Sequence, residues 1–240
     1  MINPHHQTIL EDIRRKSGKG TAHTFLDSYL GNNHPRYAIT APVLRAMAKE
    51  WMRNHKHLTS PEFSVLIESL ITGKSSTEKV YAGILMDYAT PQQGAFDPKV
   101  FASWLDYLEG WAEIDAVCTG AYTIRQIPSA WSKWRPFLKK LSRDKSIGKR
   151  RASLVFLCSP ISHCDDADMA ETALENINRL KSEKEVLITK AISWLLRSMV
   201  RHHKKAVAEY LEENKDSLPK IAVRETLVKL KTGKKTTRKG

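Results

Sequence analysis

The chain has 240 residues, 41% hydrophobic and 27% charged, a composition that can bury a sizeable core without disulfides. No apolar run approaches the roughly 20 residues of a membrane span, the opening MINPHHQTILEDIRRK lacks the cationic head and apolar centre of a secretory signal, and Cys118, Cys158 and Cys164 have no CxxC spacing. A cytoplasmic protein with reduced thiols is expected, without membrane association, a disulfide frame or cysteine chemistry. Lys and Arg number 39 against 26 Asp and Glu, and the net charge of +13 favours a polyanion partner, because each neutralised phosphate releases counterions.

Helical periodicity runs through nearly every segment and no strand alternation persists. Helices are expected at about 5–16, 21–30, 41–55, 61–72, 76–89, 98–108, 111–126, 130–141, 147–158, 166–180, 183–201, 203–213 and 218–231. Thr40 with Pro42, Ser60-Pro61-Glu62, Asp97-Pro98 and Ser217 ahead of Pro219 mark starts. About a dozen helices with short connections and no exact repeat point to an all-α fold, either stacked antiparallel pairs in an α-solenoid or a compact bundle. The solenoid is the better expectation, since its concave face is wide enough for a duplex. No linker splits the chain, so residues 1–231 read as one domain and 232–240 as a flexible basic tail. The stretch RHHKK at 201–205 adds a second basic cluster, and a monomer is expected.

Three segments place residues off their expected faces. In a helix over 111–126, Ile114, Val117, Ala121 and Ile124 form the apolar stripe, while Trp111 and Asp115 share one side a turn apart. A carboxylate facing a polyanion is repelled unless an arginine pairs with it or chemistry uses it, and both readings stay open. In 147-IGKRRASLVFLC-158, Arg151 falls with Ile147, Leu154 and Cys158, so it must snorkel or find a partner, either a carboxylate or a phosphate. In 183-EKEVLITKAISWLLRSMVR-201, Ile188, Ile192, Leu195 and Met199 make the stripe, with Lys190, Trp194, Arg197 and Arg201 opposite. That tryptophan either covers a neighbouring element or offers an aromatic plate beside phosphate-binding cations.

Other chemistry finds little support. The nine histidines show no metal-ligand spacing with acids or cysteines, so no metal or cofactor is expected. Phosphate-loop, dinucleotide and serine-esterase motifs (GxxxxGK[ST], GxGxxG, GxSxG) do not occur. Trp131 and Trp134 read as core anchors of their helix.

The motif WxxxD at Trp111 and Asp115, KRRASLVF around Arg151 and TKAISWLLR around Trp194 and Arg197 resemble the AlkD-like DNA alkylation-repair family. YLGNNHPRYAITAPVLRAMAKEW is similar to the family's opening helices, with Tyr29 before a Pro-containing loop and Arg45 after it, and 210–231 to its closing repeat. The resemblance covers about residues 20 to 231. Gly110 departs from it, standing where some members carry a second aromatic.

The resemblance implies a HEAT-like solenoid with a concave basic groove that grips double-stranded DNA. It further implies excision of cationic N3- and N7-alkylated purines by N-glycosidic hydrolysis, without a base-flipping pocket, as in base excision repair. Asp115, Trp111 and Trp194 would be the catalytic contacts, with Arg151, Arg197, Arg201, Lys190, Tyr29 and Arg45 touching DNA. The main alternative is a non-catalytic HEAT-like protein that binds branched or damaged DNA; a scaffold for acidic proteins and an RNA binder are further ones.

Overall fold

The structure is a computed structural model that describes residues 3–18, 31 and 33–234. Tyr29, the helix expected at 21–30 and most of the expected basic tail lie outside the described residues. Among the described residues there are thirteen α-helices and no strand. They are α1 (Pro4–Lys16), α2 (Ala41–Asn54), α3 (Ser60–Ile71), α4 (Ser76–Tyr88), α5 (Val100–Trp104), α6 (Gly110–Cys118), α7 (Ala121–Ser129), α8 (Trp131–Leu141), α9 (Ile147–Ile161), α10 (Ala167–Leu180), α11 (Val186–Met199), α12 (Lys204–Asn214) and α13 (Lys220–Thr232).

Local sequence explains several starts. Asn3 accepts from the His5 and His6 amides ahead of Pro4. Thr59 with Glu62 and Ser75 with Glu78 close reciprocal capping boxes on α3 and α4. Ser146 and Asp166 cap α9 and α10. Thr40, by contrast, makes no side-chain cap on α2. Two expected helices end up shorter. After α5 the chain continues only as a 3-10 turn, Leu105–Tyr107. The segment expected as one helix over 111–126 is two, because Thr119 is extended and Gly120 adopts φ +94°. A left-handed glycine ends a helix at no steric cost.

The described helices group into two compact units, Met1–Gln126 and Ile127–Gly240. In the first, α2 packs on α4 and α4 on α6, while α1 packs on α3 and α3 on α4. In the second, α9 packs on α11 and α11 on α13, while α8 packs on α10. Most of the long helices thus meet a next-but-one neighbour in a row, and the rows pair through adjacent helices, which is the stacking of an α-solenoid. The core of the first unit is aromatic, with Phe96 edge-on to Trp104 at 5.6 Å and stacked near Phe63 and Tyr122. In the second, Trp134 packs on Phe156 at 5.0 Å.

The first helix is anchored by a buried polar relay. His6 places Nδ1 at 2.8 Å from Ser69 Oγ and Nε2 at 2.9 Å from Glu78 Oε1. Burial alone would push the Glu78 carboxyl up, but hydrogen bonds from His6 and Ser75 outweigh it and hold it below the ordinary value of 4.5. A depressed folded-state value adds stability above pH 4.5 that is lost as pH falls through the folded value. Glu78→Gln is therefore expected to flatten the acid side of the stability profile. Urea melts through the acid range check this, and an unchanged slope would exclude Glu78 as a source of acid lability.

Candidate nucleic-acid interface

The row α2–α4–α6 carries the candidate residues of the first unit. The start of α6 is set by charge and by backbone shape. Gly110 has φ +61°, and the fully buried Glu113 accepts from the Glu109 amide at 2.8 Å. Glu113 also meets His34 Nδ1 at 3.0 Å, and the Glu109 carboxylate takes the Asn33 amide at 2.9 Å. These bonds pin residues 33–34 across the beginning of α6.

Beyond that start, Ile114 and Val117 are buried as expected, whereas Ala121 and Ile124 fall after the break and are only half-buried. Trp111 and Asp115 are both half-buried on one side of α6. Among the described residues the Trp111 Nε1 is shut off from solvent and has no hydrogen-bond partner. Thr119 Oγ1 donates to the Asp115 carbonyl at 2.6 Å, closing the helix below the carboxylate.

Asp87 holds the next turn. Its carboxylate accepts from the Tyr122 amide at 2.9 Å, at the start of α7, and a Cβ at Gly120 would come within 2.4 Å of its oxygens. Burial pushes this carboxyl up, opposed by backbone hydrogen bonds and by the charges of Arg125 and Arg45. Arg125 donates to the Asp87 and Ala89 carbonyls at 3.1 Å each, so the end of α4 and the beginning of α7 are sealed by one acid and one base.

Arg45 is exposed on α2, and Lys49, Arg53 and Lys56 repeat along the same helix and beyond its end. The last three line an open cavity of about 650 Å³ with Tyr88. Arg45 alone was expected from the sequence, although the i, i+4, i+8, i+11 spacing of Arg45, Lys49, Arg53 and Lys56 was the available signal.

In the second unit the α11 stripe is as expected, with Ile188, Ile192, Leu195 and Met199 fully buried. Lys190, Trp194 and Arg197 sit half-buried on the other side, and Arg201 is exposed in the turn after the helix. Arg197 Nε lies 3.3 Å from Glu225 of α13, and Ser193 Oγ donates to the same carboxylate at 2.7 Å. The Arg197 charge is therefore already engaged.

Arg151 is 4% exposed, and its Nη1 donates to the Leu187 carbonyl at 2.5 Å. The cation placed on the apolar face thus meets a backbone carbonyl, tying the first turn of α9 to that of α11. Trp134 is buried as expected, but Trp131 is only half-buried and donates Nε1 to Asp168 at 3.1 Å. Among the described residues no cluster of three or more His, Cys, Asp or Glu could hold a metal ion, and no helix is long and apolar enough to cross a membrane.

The structure therefore brings Trp111 together with Asp115 on α6, and Lys190 with Trp194 and Arg197 on α11. These elements belong to an all-α fold of stacked helices. The family model described as "DNA alkylation repair enzyme" matches residues 9–230. The chain belongs to the DNA alkylation repair enzyme family. Among solved structures it is similar to one described as a predicted DNA alkylation repair enzyme from Enterococcus faecalis. The two share 16% identity over 86% of this chain and 93% of that one, with a TM-score of 0.69. No curated protein matches the chain.

Proposed function

We propose that this protein is a DNA glycosylase that excises cationic N3- and N7-alkylated purines from duplex DNA by hydrolysing the N-glycosidic bond, without a base-flipping pocket. The observation that carries this reading is the pairing of an indole and a carboxylate, Trp111 and Asp115, on the half-exposed side of α6 in a +13 chain of this family.

Glycosidic cleavage passes through a sugar with oxocarbenium character, so the catalyst must stabilise positive charge at the deoxyribose. An alkylated purine already carries a positive charge and departs as a neutral base, which removes the need for a general acid. Asp115, as a carboxylate, stabilises the developing cation and positions the attacking water. Trp111 and Trp194 offer their electron-rich faces to the sugar and backbone at the lesion, each contact being worth roughly 0.5–2 kcal/mol. Such modest contributions suffice for a weakened, charged bond and leave ordinary purines intact.

Arg45, Lys190 and Arg201 face phosphates in this reading, as does Tyr29 by resemblance. Arg151 and Arg197, each already bonded within the second unit, act by holding α9, α11 and α13 in place.

The test is to incubate methylated duplex DNA with the protein and identify the released bases by chromatography. Release of methylated purines is expected. Binding without release would favour the non-catalytic DNA-binding alternative. Duplex affinity is expected to fall steeply and linearly with the logarithm of salt concentration, by a slope set by several phosphates. A flat salt response in filter binding would remove DNA as the partner.

A further inference from the structure

A cavity of about 690 Å³ opens in the first unit between α1, residues 35–37 and the junction of α3 with α4. Arg14, Arg36 and Lys74 line it with Leu10, Pro35 and Tyr37. Its volume is in the range of small-ligand sites. Arg14 Nε donates to the Tyr37 hydroxyl at 3.3 Å, which places the guanidinium along the wall. Among the described residues neither Arg14 nor Lys74 has a carboxylate within ion-pair distance. Glu78, the acid that borders the cavity, is 4% exposed and is taken up by His6 and by Ser75. Arg14 and Lys74 therefore reach the wall without a direct ion pair, although Glu78 and Glu11 act on the Arg14 charge from farther off.

Ser69 and His6 complete the floor. Ser69 Oγ is bonded to His6 Nδ1, whose other nitrogen meets Glu78, in the order of a serine hydrolase relay. Hydrolysis is disfavoured by where Ser69 lies. It sits inside α3, whose amides are committed to helical bonds, so its own helix offers no amide-lined oxyanion hole beside it. The relay fixes the Ser69 hydroxyl at the cavity wall, while Ser69 and Glu78 engage both ring nitrogens of His6.

We propose that this cavity binds a phosphomonoester, with Arg14 and Lys74 as its charge partners and the Ser69 hydroxyl as a hydrogen-bonding floor. A terminal phosphate can be surrounded by convergent donors in a recess, whereas a backbone diester is flanked on both sides and lies along a surface. Leu10, Pro35 and Tyr37 provide an apolar wall for an attached sugar or base. Two sources share this chemistry: a free mononucleotide and the 5′-phosphate at a strand end. The inference does not depend on glycosylase activity.

The test is isothermal calorimetry on the full chain at fixed ionic strength, with orthophosphate, a deoxynucleoside 5′-monophosphate, and a short single strand with and without its 5′-phosphate. The joint variant Arg14→Ala and Lys74→Ala is expected to weaken binding about tenfold or more. A variant with Arg15→Ala and Lys16→Ala removes the same charge from the end of α1, outside the cavity wall, and is expected to bind like the parent. Phosphate should also shift the His6 ring nitrogen resonances. A response to the mononucleotide alone assigns the site to a free metabolite, and one to the phosphorylated strand assigns it to strand ends. The proposal fails if the parent binds neither, or if both double variants lose affinity equally.

Discussion

Asp115→Asn is expected to bind duplex DNA at least as tightly as the parent and to lose on the order of a hundredfold or more in release of 7-methylguanine. The substitution keeps the shape of the side chain and removes its charge. A neutral amide no longer repels phosphates, so affinity should hold or rise slightly, while stabilisation of the sugar cation disappears. Rate and affinity then move in opposite directions, which damage to the fold would not produce. Single-turnover release measured beside filter binding separates the two. Equal release by variant and parent would leave Asp115 without a catalytic role.

Gly83→Ala should be the most disruptive single methyl in the first unit. A Cβ at Gly83 would sit 2.0 Å from the Ala116 carbonyl oxygen and 2.5 Å from its carbon, so α4 and α6 meet backbone to backbone. Neither backbone can rotate away as a long side chain could. Overpacking of this kind costs about 1–3 kcal/mol and at times more. Ala116 follows Asp115 directly, so displacing α6 also moves the proposed catalytic carboxylate. The expected result is a lower urea midpoint with retained helical circular dichroism, together with reduced base release. A midpoint equal to that of the parent would mean that the two helices separate freely, contrary to the packing described.

The sequence made the helices and their faces legible wherever periodicity was strong. The α11 stripe and the off-stripe positions of Trp111, Asp115 and Trp194 follow from spacing of 3.6 residues per turn, whereas the α3 start read at Ser60 is capped one residue earlier by Thr59. The break at Thr119–Gly120 was missed because the apolar period continues through it; Gly120 itself carried the signal of a helix end.

Tertiary polar partners were out of reach. Nothing in the pattern around Glu113 announces that it is fully buried against His34, 79 residues earlier in the chain. Arg151 was rightly set on the apolar face, but one partner it meets there is a carbonyl, a group that every residue carries and no sequence pattern marks. Close approach is equally silent, since Gly83 reads only as a weak helix former until Ala116 is placed against it.

The next-but-one stacking has a consequence for how the chain reaches this state. In the second unit the polar ties span short stretches of chain: 23 residues from Ser153 to Asn176, 32 from Ser193 to Glu225 and 36 from Arg151 to Leu187. In the first unit the ties from His6 to Glu78, Asn33 to Glu109 and His34 to Glu113 close stretches of 72, 76 and 79 residues. Each doubling of a closed loop adds only about 0.6 kcal/mol of entropy, yet that cost precedes the contacts that repay it. The second unit can therefore assemble from one end to the other through nearby encounters. In the first, α1 and residues 33–34 close the longest of these loops, so their docking is expected to come last.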